Sequence, residues 1–360
     1  MEYRYGRAAK YYTSVLLIIG YLAITAFQYM AMATIFTAVT GIPYEWGLAI
    51  TAIIVILYTS FGGLWAVAST DVLQGTLTII GILLLVPLAV MKAGGLGNIL
   101  ASVPPEHLQP FGHVTMDRAI AYAFVFLLGS IPLTEFWQRA YASKNIKTVK
   151  RSFLLLLLGE EGLIFLMLFV GLAGRVLYPN FPNPEQLLPH MIIELMPGVL
   201  GAFFMACLIA IIMGTADSTL LVTGVMLEED IYKDLKPNAT EAERLKVGQI
   251  STFIFGILVL ILAYAAPTMF DIWVMSADIV GATVAIPMLL GWIWKRPSGA
   301  ACIASITAGF IGWAAAYLGI SACIPYIGDE PILLGGLLSL IAYVVGAYIS
   351  PRKEVPPTSE

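Results

Sequence analysis

The feature that most constrains this chain is a succession of apolar runs, each about as long as a bilayer is thick. A helix rising 1.5 Å per residue needs roughly 20 apolar residues, within a range of about 17–25, to cross the hydrocarbon. Ten runs of this kind cover 12–39, 45–62, 66–91, 119–138, 152–175, 196–227, 245–265, 271–294, 299–320 and 331–350. Lipid offers the backbone no hydrogen bonds, so a segment of this length must satisfy its own as a helix. The fold class expected is an all-α polytopic membrane protein of about ten transmembrane helices, with the lipid bilayer as its solvent. The second run is the least secure, because Gly62-Gly63 interrupts the stretch between it and the third. The first follows Arg4, Arg7 and Lys10, and Ala31-Met32-Ala33 resembles a cleavage box. It continues from about Thr13 to Val39, far beyond a signal h-region of about 7–15 residues, and so reads as a membrane helix.

Orientation follows from the basic residues. With the N-terminus in the cytoplasm and the spans alternating, sixteen of the 19 Lys and Arg residues fall inside. Only Lys92, Arg118 and Arg175 fall outside. A wrong span count would scramble this partition. Both termini are expected in the cytoplasm and the protein in the plasma (inner) membrane. Tyr44 and Trp46 outside, with Trp292 and Trp294 inside, sit where interfacial aromatic belts belong.

Composition closes off other classes. Hydrophobic residues make up 59% and charged residues 12%, against about 45–50% and about 25% in soluble domains. A net charge of -4 gives no reason to expect a nucleic-acid partner. Cys207, Cys302 and Cys323 lack Cys-x-x-Cys spacing and read as small buried hydrophobes. His107, His113 and His190 form no ligand pair at helical spacing, so no structural zinc site and no cofactor is expected. No loop is long enough for a soluble catalytic or regulatory domain, and no soluble partner is implied. Residues 351–360 form a Pro-rich tail expected to be disordered. Thr240 with Glu243 reads as a capping box that starts a helix.

Polar residues inside spans carry the functional information, because a charge at the helix centre costs about 2.5–3.5 kcal/mol on insertion scales. The stretch Tyr58 to Gln74 contains a Gly pair able to make a tight reversal, then Asp71 and Gln74 one turn apart. Asp71 is either functional or a structural cap near the helix start. In Ile211-Ile212-Met213-Gly214-Thr215-Ala216-Asp217-Ser218-Thr219, positions 214, 217 and 218 share one helical face, with Ile211, Thr215 and Ser218 on an adjacent stripe. Hydroxyl, carboxylate and carbonyl oxygens suit a hard cation such as sodium. Gly129 to Arg139 carries Gly129, Ser130, Pro132, Thr134 and Glu135 inside a span. It is either a discontinuous helix lining a cavity or a simple Pro kink. Glu160-Glu161 and Ser276 with Asp278 are weaker candidates, Gln28 reads as interhelical glue, and Glu228, Glu229 and Asp230 read as a solvated helix end.

At these residues the sequence resembles the sodium:solute symporter family. The family hallmark Tyr-Thr-x-x-Gly-Gly-Leu-x-Ala-Val-x-x-Thr-Asp-x-x-Gln is matched at every specified position from Tyr58 to Gln74. Met213 to Ser218, continuing to Asp230-Ile231-Tyr232, and Gln138-Arg139-x-x-Ala-Ser-Lys144 look like two further family segments. The resemblance implies a leucine-transporter-type fold of two inverted five-helix repeats and sodium-coupled symport of a small organic solute by alternating access. It implies a sodium site at Ile211, Gly214 and Thr215, with Gly214 standing where a Ser is usual. It implies a second site joining Asp71 with Asp217 and Ser218. Ser130, Thr134 and Asp278 are candidate solute contacts.

Relative to the family pattern the first repeat is incomplete. The expected organisation is a partial first repeat over 12–91, a second repeat over 119–294 and two extra C-terminal helices over 299–350. A chain truncated in this way is expected not to accumulate solute by itself. The alternatives are a proton-coupled carrier of the same fold, using Asp71, Glu160 or Glu161, and a transport-incompetent fragment. An enzyme is not expected, since no Asp-Asp-x-x-Asp or His-Glu-x-x-His occurs.

Overall fold

The computed structural model describes residues 1–109, 111–112, 114–196, 198–294 and 298–350, with the side chains of 61–73 outside the description. Among the described residues each of the ten expected runs is largely helical, and 119–138 is interrupted at 131–133. We number the long helices α1 (Arg7–Thr40), α2 (Tyr44–Lys92), α3 (Met116–Ser130), α4 (Thr134–Tyr141), α5 (Ile146–Leu177), α6 (Val199–Met226), α7 (Glu241–Ala265), α8 (Met269–Ile293), α9 (Gly299–Tyr317) and α10 (Pro331–Ile349). Among the described residues eight helical segments are long and apolar enough to cross a membrane. The α3–α4 pair, bent by 41° at its break, makes a ninth, and the first half of α2, Tyr44–Ser60, is a shorter apolar helix.

The helix ends follow local chemistry. α1 stops at Gly41, whose φ of 72° is left-handed and therefore costs a glycine nothing. α7 starts in the expected capping box, with Glu243 N–H donating to Thr240 Oγ1 and Thr240 N–H to Glu243. Thr268 and Ser298 cap α8 and α9 through their side chains.

α1 and α6 lie antiparallel in one fixed register. Ser14 Oγ donates to Asp230 Oδ2 at 2.6 Å, the hydroxyls of Thr25 and Thr219 lie 2.8 Å apart, and Lys10 pairs with Asp234. The paired residue numbers sum to the same value in all three contacts. This register locates the halves of α2. Gly47 lies against Ala33 of α1, and Gly81 lies against the Phe204 ring of α6. Ala33 is level with residue 211 on α6, about 10 Å along the axis from Phe204. A straight helix would hold residues 47 and 81 about 51 Å apart. The described parts Tyr44–Ser60 and Gln74–Lys92 therefore lie beside one another. The reversal expected at Gly62-Gly63 falls outside the described side chains.

Three cores result. α1, the first half of α2, α6 and α7 meet around Ala26, Tyr29, Leu48, Val55, Leu220 and Val259. The second half of α2 packs with the end of α5, the short helix Leu187–Leu195 and the start of α6, around Leu85, Ile192 and Phe204. α9 and α10 approach closely through small residues and the buried Ser305–Ser339 hydroxyl pair at 2.8 Å, the device membrane helices use in place of a hydrophobic drive. α8 widens into a π-helical turn at Gly281–Ala285, buried throughout. α5 is exposed over most of its length, Glu160 and Glu161 included.

Two expectations need correction. Cys323 is exposed, because it lies in the turns between α9 and α10 and not in a span, whereas Cys207 and Cys302 are buried. Glu228, Glu229 and Asp230 are not a merely solvated helix end. They occupy a π-helical turn, Leu227–Tyr232, where Arg244 pairs with Glu228 and Glu229 and Ser14 donates to Asp230. The tail 351–360 lies outside the described residues.

Candidate functional site

α6 is apolar on nearly all sides, so the hydroxyls and the acid in its middle need partners within the protein. Thr215 Oγ1 donates to Ile211 O at 3.3 Å, and the Thr215 side chain is exposed along the flank of the helix. Gly214 is buried and offers only its backbone carbonyl. Asp217 is 1% exposed, and Ser218 Oγ donates to Asp217 Oδ1 at 3.5 Å. Two oxygen pairs thus occupy two turns of one helix, on different faces. Asp71 belongs to 61–73, so its side chain lies outside the described residues.

Of the two readings of the third polar segment, the interrupted helix is the one present. α3 ends at Ser130 and α4 begins at Thr134, with Trp137 Nε1 donating across the break to Ile131 O at 2.8 Å. Ser130 Oγ returns to Phe126 O at 2.6 Å, a back-bond that ends the helix. Ser130 lines a cavity of about 70 Å³ with Ile24, Gly129, Leu133, Trp273 and Ser276. Thr134 instead lines a cavity of about 530 Å³ on the side of Met1, together with Lys10, Ser14, Gln138 and Asp230. Asp278 lines neither. It is 4% exposed, and its Oδ1 has no hydrogen-bond partner among the described residues.

The structure therefore brings Ser130 together with Ser276, and sets Thr134 and Asp278 apart from them. Ser276 Oγ also donates to Gly20 O of α1 at 2.8 Å. By the α1/α6 register, Ile24 in the small cavity is level with residue 220, about one turn from Thr215–Ser218. Sequence reasoning missed Thr25 and Tyr21, and gave Glu135 no partner. Thr25 bonds Thr219, and Tyr21 donates to Glu135 while accepting from the Thr134 backbone N–H at 2.6 Å. An isolated Tyr or Thr in an apolar run gives no signal of its own. Glu135, an acid within the broken segment, did give one.

Among the described residues no group of three or more His, Cys, Asp or Glu side chains could hold a metal. The hydroxyl, carbonyl and carboxylate oxygens of α6 are hard donors, suited to a hard cation. The sequence profile of the sodium:solute symporter family matches residues 1–309. The chain belongs to the sodium:solute symporter family.

The symporter is 29% identical over 354 residues to the sodium/pantothenate symporter of Escherichia coli (strain K12), covering 95% of this chain and 72% of that one. It is 28% identical over 365 residues to the sodium/pantothenate symporter of Haemophilus influenzae, with coverage of 98% and 74%. It is 26% identical to a Staphylococcus aureus sodium/proline symporter, over 93% of this chain and 68% of the relative. In fold it resembles a substrate-bound, outward-open Na+-coupled sialic acid symporter, with a TM-score of 0.78 at 20% identity over 98% of this chain and 77% of that one. The symporter is accordingly a helical membrane transporter of the leucine-transporter type and not an enzyme, and sodium is the coupling ion of its family.

Proposed function

We propose that this symporter carries a small, polar organic solute of the pantothenate or proline kind, and that the oxygens of α6 hold the sodium that drives it. The observation that carries this reading is the placement of Ile211 O with Thr215 Oγ1, and of Asp217 with Ser218, within two turns of an apolar span. Gly214 adds a carbonyl to the first pair, and Asp71 is proposed to complete the second. Ser130 and Ser276 are proposed to meet the solute in the small cavity, about one turn away, and Thr134 to meet it on its way to the Met1 side. The charge distribution supports a plasma-membrane orientation with that side in the cytoplasm.

Sodium bound beside the solute cavity biases the conformation that admits solute, and the two leave together on the other side. Each inward sodium yields about 2.3 kcal/mol per 100 mV. A tenfold solute gradient costs about 1.4 kcal/mol. One ion can therefore sustain more than a tenfold gradient from voltage alone, without covalent chemistry.

Ligand-linked stability tests the reading, because a ligand that binds only the native state raises its unfolding temperature. Sodium should raise that temperature for the purified chain, whereas potassium or choline at equal ionic strength and pH should not. Pantothenate or proline should add a further shift only when sodium is present. An identical response to all three cations would refute the sodium site. A response that tracks pH and ignores sodium would favour a proton-coupled carrier.

A further inference from the structure

The two cavities meet the broken helix at consecutive residues. Leu133 lines the small cavity, and its chain neighbour Thr134 lines the large one. Along α1 the order is the same. Thr13, Ser14 and Leu17 line the large cavity, Ile24 lines the small one, and Tyr21 stands between them. Tyr21 is 1% exposed. Its hydroxyl accepts the Thr134 backbone N–H at 2.6 Å and donates to the Glu135 carboxylate. One side chain from α1 thus ties down the first residues of α4, directly after the break at which the segment bends by 41°. Bends at interrupted helices are where a chain rotates with least loss of backbone hydrogen bonds.

We propose that Tyr21 and Glu135 form the gate between the solute cavity and the Met1-side vestibule, so that releasing this contact lets the start of α4 swing and connects the two spaces. The proposal rests on the reading that the small cavity holds solute. The vestibule suits the released cargo, being lined by Lys10, Ser14, Gln138, Glu229 and Asp230, which offer charged and polar partners to a solute leaving with its ion. Tyr21 is a positioning residue here, acting through the helix it holds. The ring stands between the two cavities, and the two hydrogen bonds decide whether α4 stays against it. A net hydrogen bond is weak enough to open thermally during a transport cycle.

Thiol accessibility tests this without solute or sodium, so the outcome stands whether or not Ser130 touches solute. With Cys323→Ser as background, single cysteines are placed at Ile24 in the small cavity and at Gln138 in the vestibule. A membrane-impermeant thiol reagent is applied separately to each face of sealed vesicles. The face that labels Gln138→Cys defines the vestibule side. From that face, Ile24→Cys should react at least about tenfold faster when combined with Tyr21→Phe or Glu135→Ala, the equivalent of ~1.4 kcal/mol of lost closure. Glu135→Gln, which keeps an acceptor for the tyrosine, should stay near the unmodified rate. Reaction at Cys207 or Cys302 would identify a variant that has lost its fold, and the other variant then decides. Equal labelling of Ile24→Cys with and without the gate substitutions, in folded protein, would overturn the proposal.

Discussion

Thr25 Oγ1 of α1 and Thr219 Oγ1 of α6 lie 2.8 Å apart, with both side chains buried. Each hydroxyl also sits within bonding distance of a carbonyl in its own helix, Tyr21 O at 2.7 Å for Thr25 and Thr215 O at 2.9 Å for Thr219. The pair therefore fixes the α1/α6 register without leaving either group unsatisfied when the other is removed. Thr25→Val and Thr219→Val should each cost about 0.6 kcal/mol and at most about 1.7, the range for interhelical polar contacts in membranes. A double-mutant cycle on unfolding in detergent should return a coupling of the same size, and additive single effects would show that the hydroxyls do not interact.

Asp217 is the strongest candidate to hold a cation, being an acid almost fully buried beside a hydroxyl. Asp217→Asn keeps the shape and removes the charge. A contact to a charged group is worth about 1.5–3 kcal/mol, so the sodium concentration for half-maximal binding should rise by about tenfold or more. Thr215→Ala should shift it less, since Ile211 O remains. Asp71→Asn should act in the same direction as Asp217→Asn. A sodium midpoint unchanged in Asp217→Asn removes that residue from the site.

How much of this was legible in the sequence depends on the physics involved. Span positions were, because hydrocarbon thickness sets a length that no other constraint imitates; an irregularity near Pro132 was too, but whether it broke or only kinked the helix was not, because Pro does either. The Thr240–Glu243 box was local and so readable. What failed was pairwise. Thr134 and Asp278 share no cavity with Ser130, because a helix break and an opposite helical face separate residues that look equivalent in polarity. Asp230 reads as solvated until Ser14, more than two hundred residues earlier, is placed against it.

The contact between α8 and α9 depends on the absence of a side chain. A Cβ added at Gly309 would lie 2.3 Å from the Ala282 carbonyl oxygen, and one at Gly335 would lie 2.8 Å from the Ala282 Cβ. A carbonyl in a helix cannot turn aside as a flexible side chain can. Gly309→Ala should therefore push α9 away from the π-helical turn and cost about 1–3 kcal/mol, the range for overpacking. Thermal unfolding of the purified variant checks it, and an unchanged midpoint would mean the helices have room to spare.

Glu330 occupies the N-cap position of α10 without a side-chain capping bond, and burial raises its carboxyl above the ordinary carboxylate range while Arg118, 3.6 Å away, opposes the shift. A raised value means the folded state binds its proton more tightly than the unfolded chain does. Stability should then fall as pH rises from the usual carboxylate range through the raised folded value, with no change below that window. Glu330→Gln should flatten that part of the stability profile, and Arg118→Gln should steepen it. A profile identical in all three proteins would show that Glu330 does not titrate on unfolding.

Asp278 separates stability from transport. Its Oδ1 is buried without a partner among the described residues, and so is the indole N–H of Trp313. Gly309 meets Ala282 across the α8/α9 contact, and one turn further toward the same end from each lie Trp313 and Asp278, at one level. A buried polar atom left unpaired costs about 1–3 kcal/mol, so a chain selected only for folding gains by losing it. Asp278→Leu should raise the unfolding temperature of the purified protein. If the acid is kept for transport, the same substitution should abolish sodium-dependent solute binding or uptake while the protein becomes more stable. A variant that is less stable, with Trp313→Phe less stable by the same amount, would instead show that the two groups satisfy each other and that Asp278 is structural.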